Sequence, residues 1–242
     1  MMREMVKELQ MMIKEKQHIV FFGGAGVSTE SGLKDFRGEE GLDKEKSLYT
    51  PEEVLSSRFF HYNTQAFYAY YRKHLLGEAM PNAAHFWLAD MEQKGRIDGV
   101  ITQNIDGLHQ MAGSRNVVEL HGSVMRNFCT RCHKAYTADD VRNSCDVPVC
   151  SCGGVIKPDV VLYGESLKAK DIDRAVRLID QADLLIVGGT SLSVYPAAGF
   201  VSDYRGKMVI INKTKTPMDS RADLLIQAPI GALFQQLRDE NE

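Results

Sequence analysis

Five cysteines in a chain of 242 residues all fall between Cys129 and Cys152. Cys129-Thr-Arg-Cys132 is followed, after seventeen residues, by Cys150-Ser-Cys152-Gly-Gly154. Paired thiolates at such a separation suit tetrahedral zinc, and the glycines free the turn after the second pair. The second pair has a single intervening residue, and Cys145 is a spare thiol. Cys129, Cys132, Cys150 and Cys152 are favoured as ligands because the glycines follow them. Four thiolates would fill every coordination position, so the metal is expected to be structural and not a generator of activated water. A disulfide framework would spread its bridges through a small secreted chain instead of clustering them.

The other chemistry-bearing residues form short polar turns. Gly24-Ala25-Gly26 follows an apolar run; glycines at a strand-to-helix turn let backbone approach a dinucleotide pyrophosphate, although an ordinary tight turn would read the same way. Just beyond it, Asp35, Phe36 and Arg37 place a carboxylate, an aromatic face and a guanidinium in succession. Gln103, Asn104 and Asp106 follow a second apolar run, able to bond an amide, a ribose or a water, or equally to form an Asx turn capping a helix. His121 follows a third, where a near-neutral imidazole is a natural general base, although a lone histidine is more often structural. Glu119, two residues before it, is discounted as an orienting group. The remaining six histidines, His85 and His109 among them, have no comparable sequence context. Thr190 and Ser191 follow a glycine pair after a fourth run, and Asn212 follows a fifth.

What must position these turns is a set of short, largely apolar strands. The segments 18–23, 97–102, 117–120, 183–188 and 207–212 read as buried strands. Helices are expected at 2–16, 51–56, 58–76, 81–94, 170–181 and 196–204, with a charged loop at 38–50. Such alternation implies an α/β fold, a parallel sheet covered on both faces. The polar turns would then share one edge of that sheet, beyond the carboxyl ends of its strands, where open sheets bind ligands. The cysteine segment interrupts the alternation and reads as an insertion.

Composition bounds the partners. Lys and Arg number 29 against 32 Asp and Glu, a net charge of −3, which argues against a chain built to hold nucleic-acid phosphates or a membrane surface. Hydrophobic residues make up 44%, a globular balance. No apolar run approaches the ~20 residues needed to cross a bilayer, and the N-terminal stretch lacks the apolar core of a signal peptide. The expected compartment is the cytoplasm.

These motifs in this order resemble the sirtuins, NAD-dependent protein lysine deacylases. The resemblance rests on the stretch from Gly24 to Arg37, on 102–106, on His121-Gly122, on the cysteine quartet, on 157–165 and on 189–192, and it spans residues 23–230. Lys34 departs from it, standing where many members have proline, as does Gly23, in place of a small hydroxyl residue. The resemblance implies a Rossmann-like domain, 1–122 and 158–242, containing a helical cofactor-loop region at 38–80. It also implies a small inserted zinc-binding module at 123–157. It implies NAD contacts from Gly24, Ala25, Gly26, Thr29, Asp35, Phe36, Arg37, Gln103, Asn104, Ile105, Asp106, Thr190, Ser191, Asn212 and Ile230. His121 would be the general base beside the cofactor. Val160, Val161 and Leu162 would meet an acetyl-lysine peptide added as a strand. The implied reaction consumes NAD, releasing nicotinamide, deacetylated lysine and 2′-O-acetyl-ADP-ribose.

Members that prefer acidic acyl groups carry a Tyr-x-x-Arg pair; here Ala69 stands three before Arg72, and Tyr68 is one residue out of register, about 100° around a helix. Deacetylation is therefore expected over desuccinylation. Rival readings are ADP-ribosyl transfer at the same site, a hydride-transferring dehydrogenase, and a zinc-ribbon nucleic-acid module drawing on Arg126, Arg131 and Lys134.

Overall fold

The computed structural model describes residues 2–35, 41–44 and 48–239. Phe36 and Arg37, together with parts of the expected charged loop, lie outside the described residues.

Helix α1 (Met2–Glu15) leads into β1 (Ile19–Gly23), and α2 (Pro51–Val54), α3 (Ser57–Tyr62), α4 (Thr64–His74) and α5 (Ala83–Gln93) precede β2 (Gly99–Thr102). After α6 (Leu108–Met111) come β3 (Val117–Glu119), β4 (Gly122–Cys129), β5 (Ala135–Thr137), α7 (Ala138–Arg142) and β6 (Ile156–Val160). The chain closes with α8 (Ala169–Gln181), β7 (Leu184–Gly188), α9 (Ala197–Asp203), β8 (Lys207–Ile211), β9 (Leu224–Ile226) and α10 (Ile230–Asp239).

Six strands form one sheet in the order β3-β2-β1-β7-β8-β9, every pairing parallel. Strand side chains alternate between faces, and the core divides accordingly. Ile19 and Phe21 of β1 pack with Leu9 of α1, Trp87 of α5 and Phe234 of α10. Val20 and Phe22 pack on the other face with Ala175 of α8 and Val201 of α9. Burial on both faces explains why these strands read as unbroken apolar runs. The order reverses between β1 and β7, and the crevice above that pair is where doubly wound sheets take their ligands.

A second, antiparallel sheet, β5-β4-β6, carries the cysteines. Pro158 lies on its edge strand β6, where a missing amide donor is tolerated. Its core also contains Phe60, Phe67, Tyr68 and Tyr71 from α3 and α4, alongside Cys129, Cys150, Ile156 and Leu162. Helices α2–α4 thus share a core with the cysteine segment.

Three local expectations need correction. The single helix expected over 58–76 is two, because Asn63 leaves helical geometry and its side chain accepts the Ala66 amide to start α4. Pro81 does not open α5; Asn82 is the N-cap, accepting from the Ala84 amide. No α-helix starts after Gly24; two short 3-10 turns, Ala25–Val27 and Thr29–Ser31, end at Gly32 in the left-handed region (φ 86°).

Candidate active site

The turns after β1 and β7 interlock through bare backbone. Gly26 donates its amide to the Gly189 carbonyl at 2.8 Å, and Gly24 donates to that of Gly188 at 3.3 Å. A Cβ on Gly26 would stand 2.8 Å from the Gly189 Cα, and one on Gly189, at φ 58°, would stand 2.4 Å from the Val27 nitrogen. These glycines are therefore required by the contact between the two turns, before any ligand arrives.

A hydrogen-bonded web joins these turns to the one after β2. Gln103 donates its amide to the carbonyl of Gly23 (3.0 Å) and its side-chain Nε2 to Thr190 Oγ1 (3.0 Å). Ser28 donates its hydroxyl proton to Asp106 Oδ2 (2.7 Å) and accepts from Asn104 Nδ2 (3.1 Å). Asp106 Oδ1 accepts the Leu108 amide at 2.9 Å. The Asx-turn reading of this cluster holds, one carboxylate oxygen accepting the Leu108 amide at the start of α6 while the other joins the web.

His85 belongs to this web, which its sequence context did not reveal. Its Nδ1 accepts the Asn82 amide at 3.2 Å, so in the neutral ring the proton sits on Nε2, 3.4 Å from Ser28 Oγ. Burial pushes its pKa down to about 4, against the opposing pull of Asp106. His109 packs against it with ring centroids 4.8 Å apart, and burial, reinforced by His85, pushes its pKa down to about 3.

His121 occupies the crossing between the sheets. Its amide-side neighbour Leu120 donates to Thr102, its carbonyl accepts from Val161 (2.9 Å), and Gly122 begins β4 at φ 77°. A Cβ on Gly122 would lie 1.9 Å from the Asp159 carbonyl oxygen, so only glycine lets the chain cross here. His121 Nδ1 lies 2.8 Å from the Gln103 carbonyl; that acceptor requires the proton on Nδ1, leaving the lone pair on Nε2. Burial lowers the imidazole pKa, partly opposed by this hydrogen bond, so the ring is the neutral, proton-accepting form at neutral pH. Glu119, discounted from the sequence, is engaged elsewhere, accepting from Arg126 Nη1 at 2.7 Å.

The remaining described candidates are held by local contacts. Thr29 donates its hydroxyl to the Gly26 carbonyl (3.1 Å), and the Asp35 carbonyl accepts the Leu42 amide (2.9 Å). Ile105 accepts the Val124 amide through its carbonyl, and its side chain packs on the small-sheet core. Ser191 and Ser193 hydroxyls are 2.7 Å apart, and Asn212 Nδ2 donates to the Thr214 carbonyl at 2.8 Å. Ile230 is buried, its side chain packed beneath Gly188 in the core of the large sheet.

The segment expected to pair with a peptide has its amides committed. Val161 donates to His121, Tyr163 to the Leu55 carbonyl, and Leu162 to Glu165 Oε2, which also takes Lys157 Nζ at 3.2 Å. Val160 pairs within β6, opposite Gly122. Arg72 is likewise engaged, donating to the Val141 carbonyl, Ser144 Oγ and the Asp146 carbonyl while its guanidinium rests over the Tyr68 ring.

The Sγ atoms of Cys129, Cys132, Cys150 and Cys152 all lie within 4.8 Å of one another, with Cys129–Cys152 at 3.4 Å and Cys132–Cys150 at 3.6 Å. A tetrahedron with Zn–S bonds of ~2.3 Å has edges of about 3.8 Å, so the donor set fits zinc. Cys145 is exposed and outside the cluster.

A family model described as the Sir2 family matches residues 24–196. The NAD-dependent protein deacetylase of Clostridium tetani is 50% identical over 240 residues, 97% of this chain and 97% of the relative. A solved structure described as Sir2 with p53 peptide and NAD+ has a TM-score of 0.88 at 39% identity, covering 98% of each chain. Another, described as Sir2 with an inhibitor, 2′-O-acetyl-ADP-ribose and deacetylated p53 peptide, has a TM-score of 0.86 at 38% identity, over 97% of this chain and 98% of that one. With its parallel sheet, its cysteine quartet and these matches over nearly its full length, this chain belongs to the Sir2 family.

Proposed function

We propose that the chain is an NAD-dependent protein lysine deacetylase that transfers the acetyl group of N6-acetyl-lysine to ADP-ribose, releasing nicotinamide, free lysine and 2′-O-acetyl-ADP-ribose. The observation that carries this reading is the placement of His121, proton on Nδ1 and lone pair on Nε2, beside the web of Ser28, Asn104 and Asp106. NAD, consumed as a cosubstrate, supplies a ribose carbon activated by its nicotinamide leaving group. Under this reading His121 Nε2 takes the proton of a ribose hydroxyl, a general-base role suited to a ring neutral at working pH. Gln103, Asn104, Ile105 and Asp106 would surround the ribose and nicotinamide. Gly24, Ala25, Gly26, Thr29, Asp35, Phe36 and Arg37 would hold the cofactor from the β1 side. Thr190, Ser191, Asn212 and Ile230 would hold its adenosine half.

Val160, Val161 and Leu162 would border the acetyl-lysine; their committed amides favour side-chain contact there over pairing through N–H groups. The engagement of Arg72 with the 141–146 segment supports acetyl over succinyl substrates, since its donors are already directed at protein acceptors. Zinc on Cys129, Cys132, Cys150 and Cys152 would cross-link the small sheet, with no coordination position left for substrate. The reading divides the chain into a Rossmann-like domain, 1–122 and 158–242, and an inserted module, 123–157, with the substrate cleft between. It also places the enzyme in the cytoplasm with acetylated proteins as partners and with no nucleic acid or membrane. No helix among the described residues is long and apolar enough to cross a bilayer.

Mass spectrometry of products from NAD and a panel of acyl-lysine peptides tests the proposal. Nicotinamide with acetyl-ADP-ribose is expected. NADH would indicate hydride transfer, and label from NAD remaining on protein would indicate ADP-ribosyl transfer; either as the main outcome overturns it.

A further inference from the structure

The first turn of α10 has no cap in its own sequence. Pro229 precedes it and its carbonyl accepts the Leu233 amide at 3.2 Å, but proline offers no side-chain acceptor for the orphan amides of a helix start. The acceptor comes from a distant part of the chain. Glu30, in the 3-10 turn Thr29–Ser31, accepts the Gly231 amide on Oε2 at 2.5 Å and the Ala232 amide on Oε1 at 3.1 Å, across 201 and 202 residues of sequence. Gly231 leaves room for this: a Cβ there would stand 2.6 Å from Glu30 Oε2. An exposed carboxylate on a surface turn would ordinarily be a solvated charge; here both oxygens are spent on one helix terminus.

The same helix turn braces the other side of the crevice. The Ile230 side chain fills the space beneath Gly188, where a Cβ would lie 2.4 Å from Ile230 Cδ1. Ile230 and Gly231 therefore touch, in consecutive residues, the end of β7 and the turn after β1. Ser28, the node of the hydrogen-bonded web, immediately precedes the turn that Glu30 anchors.

We propose that Glu30 is a positioning residue for the cofactor: by capping α10 it fixes the 3-10 turn that starts at Thr29 directly after Ser28, and so sets the affinity for NAD without touching the reacting atoms. The proposal rests on the reading of this crevice as the NAD site. A carboxylate accepting two amides makes charge-assisted bonds, whose loss is expected to raise the KM for NAD roughly tenfold.

Steady-state kinetics on Glu30→Ala, Glu30→Gln, Gly231→Ala and the Glu30→Ala/Gly231→Ala pair tests it. In E30A the KM for NAD should rise about tenfold while kcat stays within about threefold and the KM for acetyl-peptide is unchanged. E30Q, which keeps one acceptor oxygen, should recover part of the loss. G231A should reproduce E30A, and the double variant should be no worse than the poorer single one, because both break the same contact. An unchanged KM for NAD in E30A, a matching rise in the peptide KM, or additive losses in the double variant would overturn the proposal. Should E30A fail to fold, E30Q and G231A give the same comparison. If the wild-type chain releases no nicotinamide from NAD, the functional reading fails instead, and urea titration of the same variants still reports whether Glu30 and Gly231 are coupled; independent effects on stability would refute the capping contact.

Discussion

Acidification should destabilise this fold well before its carboxylates titrate. His85 and His109 are buried side by side, 0% and 1% exposed, and burial holds their pKa values at about 4 and about 3. In the unfolded chain both return to about 6.5. Below that pH the unfolded state binds protons that the folded state refuses, so stability falls as pH falls. At pH 5 the difference amounts to about 2 kcal/mol for each ring, about 4 kcal/mol together, a large share of an ordinary domain's stability. Asp140, Asp159 and Asp223, held below the usual carboxylate range mainly by hydrogen bonds and ion pairs to Thr137, Lys168 and Lys207, lose their stabilising effect only at lower pH. The two causes thus occupy separate windows.

Urea denaturation between pH 7.5 and 5 measures this loss. The single tryptophan, Trp87, is buried in the core beside Phe234, so its emission reports unfolding. His109→Leu separates histidine titration from other acid effects. Among the described residues neither ring nitrogen of His109 has a hydrogen-bond partner, so leucine forfeits no bond at pH 7.5 and should remove about half of the drop at pH 5. A wild-type stability that is flat down to pH 5 would refute the reasoning, as would an H109L variant that loses as much as the wild type.

His121→Ala should lower turnover by roughly 10²–10⁴-fold, with calorimetric NAD affinity largely retained, because it removes a base and not the glycine turns. The pH–rate profile should keep its acid limb below about 6.5, since burial lowers the His121 pKa. Gly122→Ala should prevent stable folding, whereas Gly32→Ala, also at positive φ but with nothing within 4 Å, should cost only about 1–2 kcal/mol; equal thermal stability of the two variants would contradict the crossing geometry. Chelation should release zinc and loosen the small sheet, seen as faster amide exchange across β4–β6, and Arg72→Ala should speed zinc release because α4 then no longer holds the 141–146 segment. Acetyl-lysine peptide should turn over much faster than the succinyl form, a comparison made side by side with one enzyme stock.

Five of the six strands of the large sheet were legible because burial on both faces leaves short apolar runs in the sequence, whereas β9, only three residues long with Leu225 exposed, was missed, as was α10 after it. From those runs the strand-end positions of Gln103, His121 and Thr190 followed. The small sheet was not legible. β4 shifts register between Ser123 and Asn127, which breaks its alternation, and β6, although Lys157 and Asp159 alternate with Ile156, Pro158 and Val160, carries a proline that reads against a strand. His85 escaped notice because its partner Ser28 lies 57 residues away, brought near only when α5 packs beneath the β1 turn. The contacts of Glu30 and Arg72 were hidden for the same reason: their donors or acceptors come from distant segments.

One of the covalent crossings between the two sheets runs through Leu120, His121 and Gly122, and at that point the chain is tied to both sides, through Gln103 on one and Val161 on the other. Any displacement of one sheet against the other would therefore reach the backbone that carries the imidazole.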